Sequence, residues 1–129
     1  MRNSSQVSVI RKLYDAKGDP AVINSVLAPD VQWDVTEGFP HGGIYNGLAS
    51  TLNDFFGPLY TDFAEFGATG DEFFEDGDHV IALGHYSGLT KTGKRVTARF
   101  AHFWTLRDGK IVRLQQTADT VPLARALAD

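Results

Sequence analysis

The sequence contains no cysteine. Thiol nucleophiles, Cys-ligated zinc and disulfide frameworks are therefore excluded, and the fold has to rest on its apolar core. Basic clusters are scarce as well. With 12 Lys+Arg against 16 Asp+Glu and a formal charge of −4, the chain offers no cationic stripe to phosphate backbones. Nucleic acid and anionic membranes are set aside as main partners on that ground. No apolar run approaches the roughly 20 residues of a membrane span, and residues 1–9 lack the apolar stretch of a signal peptide. A soluble, cytoplasmic protein is expected. What is present is 129 residues, 43% of them hydrophobic. That suffices for a single domain, 1–129, burying roughly two thirds of its unfolded surface.

Periodicity divides the chain into a helical first half and a strand-rich second half. Val7, Ile10, Leu13 and Tyr14 recur at helical spacing, which predicts a helix over about 4–17 that Gly18 stops. Asp19 before Pro20 reads as an N-cap with proline at the first helical position, and Val22, Ile23, Val26 and Leu27 give the second helix its buried stripe. Val31, Trp33 and Val35 then alternate with polar residues, as in a half-buried strand. Residues 37–47 read as a glycine-rich loop. Leu48, Leu52, Phe55, Phe56 and Leu59 predict a third helix, distorted or ended by Gly57-Pro58.

Four strands near 64–74, 79–89, 95–106 and 111–119 follow, separated by Asp76-Gly77-Asp78, Lys91-Thr92-Gly93-Lys94 and Arg107-Asp108-Gly109-Lys110. An apolar tail over 121–127 is expected to form a short helix. Helices followed by a meander mean α+β, with the helices held on one face of a strongly bent sheet.

Alternation along the last strands selects candidate chemistry. His102 shares its side with Val96, Ala98, Phe100, Trp104 and Leu106, so it is the one titratable group on an apolar face. It is either a satisfied core histidine or an acid/base group poised in an apolar pocket. On the last strand Ile111, Arg113, Gln115, Thr117 and Asp119 fall on one side, and Val112, Leu114, Gln116 and Ala118 on the other. Asp119 is either a helix cap or a general base at the mouth of an apolar cone, and a single bulge would reverse the assignment of faces. His41 is expected in solvent or over the pocket mouth. His79 and His85 face the cone or an outer interface. The four histidines form no metal-ligand spacing, and the glycine-rich loop at 42–47 lacks Gly-Lys-Ser/Thr, so neither a metal nor a phosphate loop is expected.

The stretch Asp108-Gly109-Lys110-Ile111-Val112-Arg113, then Asp119-Thr120 and an Ala/Leu-rich tail, resembles the end of SnoaL-like polyketide cyclases within the NTF2-like superfamily. Trp33, the Gly43-Ile44-Tyr45-Asn46-Gly47 loop and Phe100-Ala101-His102-Phe103-Trp104 are similar to the same pattern in the same order. The resemblance covers nearly the whole chain. It implies a cone of bent mixed or antiparallel sheet around helices, an apolar pocket, a homodimer through the outer sheet faces, and chemistry without cofactor or metal. By that match Asp119 is the base and His102 the partner of a substrate oxygen. Three departures stand out: Thr117 where many relatives carry tyrosine, Arg11 about one turn before Tyr14, and Val35-Thr36 where ketosteroid isomerases place a carboxylate. Steroid isomerisation is thereby disfavoured.

Two functions compete. In the first, a cofactor-free isomerase or cyclase acts on a small apolar carbonyl compound, with Asp119 and His102 catalytic and Tyr14, Trp33, Phe55, Phe56, Phe100, Trp104 and Thr117 forming the substrate site. In the second, the cone is a non-catalytic ligand-binding or dimerisation module. A cavity of roughly 300 Å3 lined by both Asp119 and His102 favours the enzyme, and a filled cone favours the module.

Overall fold

The computed structural model describes residues 5–128. Position 4, where the first helix is expected to begin, lies outside them. Helix α1 is Ser5–Asp15 and buries Ile10 completely, so one stripe of an otherwise polar helix is anchored in the core. Helix α2 is Pro20–Val26. The Asp19 carboxylate accepts from the Ala21 N–H at 3.0 Å, the capping bond that the Asp-Pro pair predicts.

Strand β1, Leu27–Val35, starts at the residue after α2. A short strand β2, Gly43–Asn46, interrupts what the sequence presents as loop, pairing antiparallel with β1. Helix α3 is one continuous segment of three stretches: α-helical Leu48–Ser50, π-helical Thr51–Phe56 and α-helical Gly57–Asp62. Gly57-Pro58 therefore does not end it. Proline falls where the winding returns from π to α, and its missing N–H removes one donor from the ladder at that junction. Strands β3 (Phe63–Asp76), β4 (His79–Thr90), β5 (Arg95–Arg107) and β6 (Lys110–Ala118) follow, and helix α4, Val121–Leu127, closes the chain.

The six strands form one curved, unclosed sheet in the order β2-β1-β6-β5-β4-β3. Strands β3 to β6 make the antiparallel meander, and β1 lies parallel to β6, so the sheet is mixed. The helices fill its concave side. The β5–β6 turn has positive φ at both Asp108 (53°) and Gly109 (77°), the backbone of a type I′ hairpin whose twist suits the flanking strands. Residues 79–90 and 95–106 each alternate between buried and more exposed positions without a break. Val80, Ala82, Tyr86, Phe100, His102, Trp104 and Leu106 all point inward.

Each large side chain buried here stabilises the fold by roughly 1.5–3 kcal/mol. Among the described residues, no helix is long and apolar enough to cross a membrane, and no group of three or more acidic or histidine side chains is placed to hold a metal.

Two glycines let rings lie close to the sheet. A Cβ at Gly84 would stand 2.0 Å from the Thr69 carbonyl oxygen and 2.7 Å from Phe100 Cζ, and one at Gly70 would stand 2.5 Å from Phe73 Cζ and 3.1 Å from Tyr14 Cε2. Gly84→Ala is expected to cost about 2 kcal/mol or more, because Phe100 and the β3 backbone cannot both yield. Urea unfolding followed by circular dichroism checks this, and an unchanged midpoint would contradict it.

Candidate functional site

Between the concave sheet face and the helices lies a cavity of about 80 Å3, open on one side. It is smaller than the roughly 300–1000 Å3 of most ligand pockets, so as it stands it admits a compact molecule only. Helix α1 contributes Leu13 and Tyr14, β1 contributes Trp33, and β5 contributes His102 and Trp104. The π-helical turns of α3 bring two consecutive residues, Phe55 and Phe56, to the same wall. Phe56 packs on Trp33 with ring centroids 5.3 Å apart, and Phe55 on Tyr45 at 5.5 Å. Among the described residues Lys17, in the turn after α1, is the one charged member of the lining, and no carboxylate belongs to it.

A chain of polar groups crosses this aromatic interior. The imidazole of His102, 4% exposed, stands between two phenols: Nδ1 is 2.6 Å from the Tyr14 hydroxyl and Nε2 is 2.7 Å from the Tyr86 hydroxyl. Trp104 Nε1–H donates to the Tyr14 oxygen at 3.2 Å. Gln116 Nε2 donates to the Tyr86 oxygen at 2.7 Å, and the Thr36 backbone N–H donates to Gln116 Oε1 at 3.2 Å. Register builds the cluster, since His102 is paired with Gln116 across β5–β6 and with Ala82 across β4–β5. Phe100 stacks on the imidazole, centroids 3.7 Å apart and planes 9° from parallel.

Burial decides the charge state of every member. It lowers the His102 pKa to about 3, so the ring is neutral at physiological pH. Burial also raises both phenols, Tyr14 and Tyr86, above their ordinary value, outweighing the opposing bonds from Trp104 and Gln116. The array is thus uncharged: it can donate hydrogen bonds to a ligand oxygen and stabilise charge developing there, but it offers no strong base.

Of the residues singled out in the sequence, Tyr14, Trp33, Phe55, Phe56, His102 and Trp104 line the cavity. Phe100 does not; it is buried behind the His102 ring. Thr117 and Asp119 are corrected more sharply. Both are exposed and neither reaches the cavity. The β5–β6 ladder runs regularly from Phe100↔Ala118 through His102↔Gln116 to Thr105↔Arg113, and its only irregularity lies beyond that, before Leu106. Alternation therefore turns Leu114, Gln116 and Ala118 inward and Gln115, Thr117 and Asp119 outward. Asp119 donates its backbone N–H to the Arg99 carbonyl at 2.9 Å, and the residue capping α4 is Thr120, without a side-chain bond.

The side chains that stand where a base was expected are Gln116 and Tyr86. Gln116 was signalled by sharing its side with Leu114. Tyr86 carried no such signal, because both faces of β4 are apolar in sequence. His79 and His85 lie on the outer face, His79 Nδ1 3.3 Å from the Thr105 hydroxyl and His85 Nδ1 2.9 Å from Asp71. His41 pairs with Asp62 at 2.7 Å outside the cavity, and Phe39 from the same loop is the residue that reaches the lining.

A bent sheet wrapped around helices, with an aromatic interior crossed by a few polar groups, defines a cone-shaped α+β protein with a small cavity in its interior. Residues 10–114 match the model of the SnoaL-like domain. The chain belongs to the SnoaL-like family of the NTF2-like superfamily. It is similar to an NTF2-like protein of unknown function from Burkholderia pseudomallei (27% identity, 98% of this chain and 100% of that one, TM-score 0.89). It is also similar to an NTF2-like protein from Burkholderia thailandensis (32%, 98% of each chain, 0.86). A third similar structure is TerC co-crystallised with polyporic acid (30%, 98% and 100%, 0.88). No curated protein matches the chain.

The neutral histidine has a measurable cost. Its pKa is about 3 folded against 6.5 when unfolded, so between those values only the unfolded chain takes up the proton. The stability this contributes is complete above pH 6.5 and is lost as pH falls, at about 1.4 kcal/mol per pH unit. Urea unfolding of wild type and His102→Gln from pH 7.5 to 4.5 should show the wild-type curve steeper by one proton; parallel curves would contradict the assignment.

Proposed function

We propose that the protein takes up a compact, largely apolar carbonyl compound in its interior cavity. The Tyr14–His102–Tyr86 array polarises the carbonyl oxygen and stabilises the enolate formed as water takes the α-proton, the first step of a cofactor-free isomerisation or ring closure. The observation that carries this reading is the buried, uncharged hydrogen-bonding chain set in an otherwise aromatic cavity. Such a site favours a ligand with an apolar body and one oxygen acceptor. TerC, having been co-crystallised with polyporic acid, supports an organic small molecule as the ligand class.

The acid role falls to the array and the base role passes from Asp119 to solvent water at the open side of the cavity, since an exposed carboxylate outside the lining has no path to the ligand. A second reading, a ligand-holding module without turnover, is favoured by a cavity well below roughly 300 Å3 that Asp119 does not line, and by the lack of any carboxylate in the lining among the described residues.

Exchange of the α-hydrogens of cyclohexanone in D2O, followed by NMR, separates the two. The enzyme reading expects acceleration over buffer, reduced on the order of a hundredfold in His102→Leu and within twofold of wild type in Asp119→Asn. Binding of the ketone without acceleration selects the module, and a large loss in Asp119→Asn would overturn the relocation of the acid/base role.

We also propose that the partner is a second copy docked on the outer sheet face. Phe74, Ile81, Leu83 and Phe103 are all exposed there, and Phe74 pairs with Ile81 and Ile81 with Phe103 across adjacent strands. This is a contiguous apolar patch of the kind that marks an interface. Sedimentation velocity should give a dimer that Phe103→Glu converts to monomer; a monomeric wild type would refute it.

A further inference from the structure

The hydrogens of the polar chain do not balance. Tyr14, His102 and Tyr86 are joined by two hydrogen bonds, yet as neutral groups they carry three hydrogens between them: two phenolic and one on the imidazole. The outer contacts absorb none of these. Trp104 Nε1–H can only donate, so the Tyr14 oxygen accepts there. At the far end the Thr36 backbone N–H can only donate, which fixes Oε1 of Gln116 toward Thr36 and its amide hydrogens toward the Tyr86 oxygen. One phenolic hydrogen is left without an acceptor in the array, and the tautomer of His102 selects which phenol carries it.

Two independent observations make the same selection. Tyr86 is 7% exposed, with its ring enclosed by Phe39, Phe66 and Phe100, whereas Tyr14 is half-buried beside the Lys17–Gly18 rim. A hydroxyl hydrogen stranded in the deeper position is the costlier one. In addition, Tyr86 accepts a 2.7 Å bond from Gln116 while Tyr14 accepts a 3.2 Å bond from Trp104. The shorter bond polarises Tyr86 more, making its O–H the better donor to Nε2.

Resting on the reading of the cavity as a carbonyl site, we propose that His102 is held as the Nδ1–H tautomer. The chain then runs in one direction: Thr36 N–H to Gln116, Gln116 to Tyr86, Tyr86 O–H to Nε2, Nδ1–H to Tyr14. Its last hydrogen is the Tyr14 hydroxyl hydrogen, which is donated to the ligand. Tyr14 is therefore the residue that receives the ligand oxygen, and that oxygen is of the kind bearing no hydrogen of its own, a carbonyl or an enolate. An alcohol in the same place would add a second hydrogen with no acceptor. Gln116 and His102 act through Tyr14 as positioning residues, aligning and strengthening its donor.

Long-range 1H–15N correlation on full-length protein labelled with 15N-histidine tests the tautomer. His102 should show a hydrogen-bearing Nδ1 and a bare Nε2; the reverse pattern puts the spare hydrogen on Tyr86 and overturns the proposal. Calorimetric titration with cyclohexanone and cyclohexanol tests the selectivity. The ketone should bind about tenfold more tightly, the worth of one unmade hydrogen bond. The ratio should fall to about one in Tyr14→Phe. Equal affinities in wild type, or a ratio retained in Tyr14→Phe, overturn it. If the tautomer is as stated and neither ring binds, the direction of the chain stands and the carbonyl site does not. The tautomer measurement needs no variant, so a Tyr14→Phe chain that fails to fold leaves the test intact.

Discussion

The interior of this protein is organised by one imidazole suspended between two phenols. An unpaired neutral ring nitrogen buried in an aromatic core would cost about 1–3 kcal/mol, so once histidine occupies position 102 the fold must deliver a hydroxyl to each side. It does so from distant parts of the chain. Tyr14 comes from α1 and Tyr86 from β4, and the bonds at 2.6 and 2.7 Å tie the first helix to the centre of the sheet. The same two contacts that satisfy the core define the chemistry of the cavity. Structural necessity and ligand recognition share atoms here, which is why the polar groups are few and convergent.

Glycine at two strand positions makes this geometry possible. Phe100 can lie against His102 because Gly84 leaves the neighbouring strand without a side chain beneath its ring, and Tyr14 fits over the sheet because Gly70 does the same. The aromatic packing then excludes water and keeps the imidazole neutral. Backbone access, ring stacking and protonation state form one causal sequence, and a methyl group at position 84 would act on all three.

Most of the architecture is legible in the residues. Helices α1 and α2, strands β3 to β6 and helix α4 follow from period-3.6 and period-2 patterns and from Gly-containing turns, with ends shifted by a residue or two. Strand β2 is not legible, since Gly43-Ile44-Tyr45-Asn46 is four residues among glycines and owes its extended form to pairing with β1. The cavity was half legible. Alternation alone turns His102, Trp104 and Gln116 inward. Asp119 was chosen for its place at the end of the last strand and by family likeness, and it lies exposed one residue past a ladder that turns Gln116 and Ala118 inward. Tyr86 was hidden by a strand whose two faces are both apolar, one packed on the core and one exposed as Ile81 and Leu83.

The π-helical stretch Thr51–Phe56 has a consequence for how such a pocket is tuned. In an ordinary helix neighbouring residues diverge by about 100°, and the wider π turn narrows that angle, so Phe55 and Phe56 stand more nearly side by side on the wall that both line. The bore of the cavity is therefore governed by the winding of one backbone segment as much as by the bulk of its side chains.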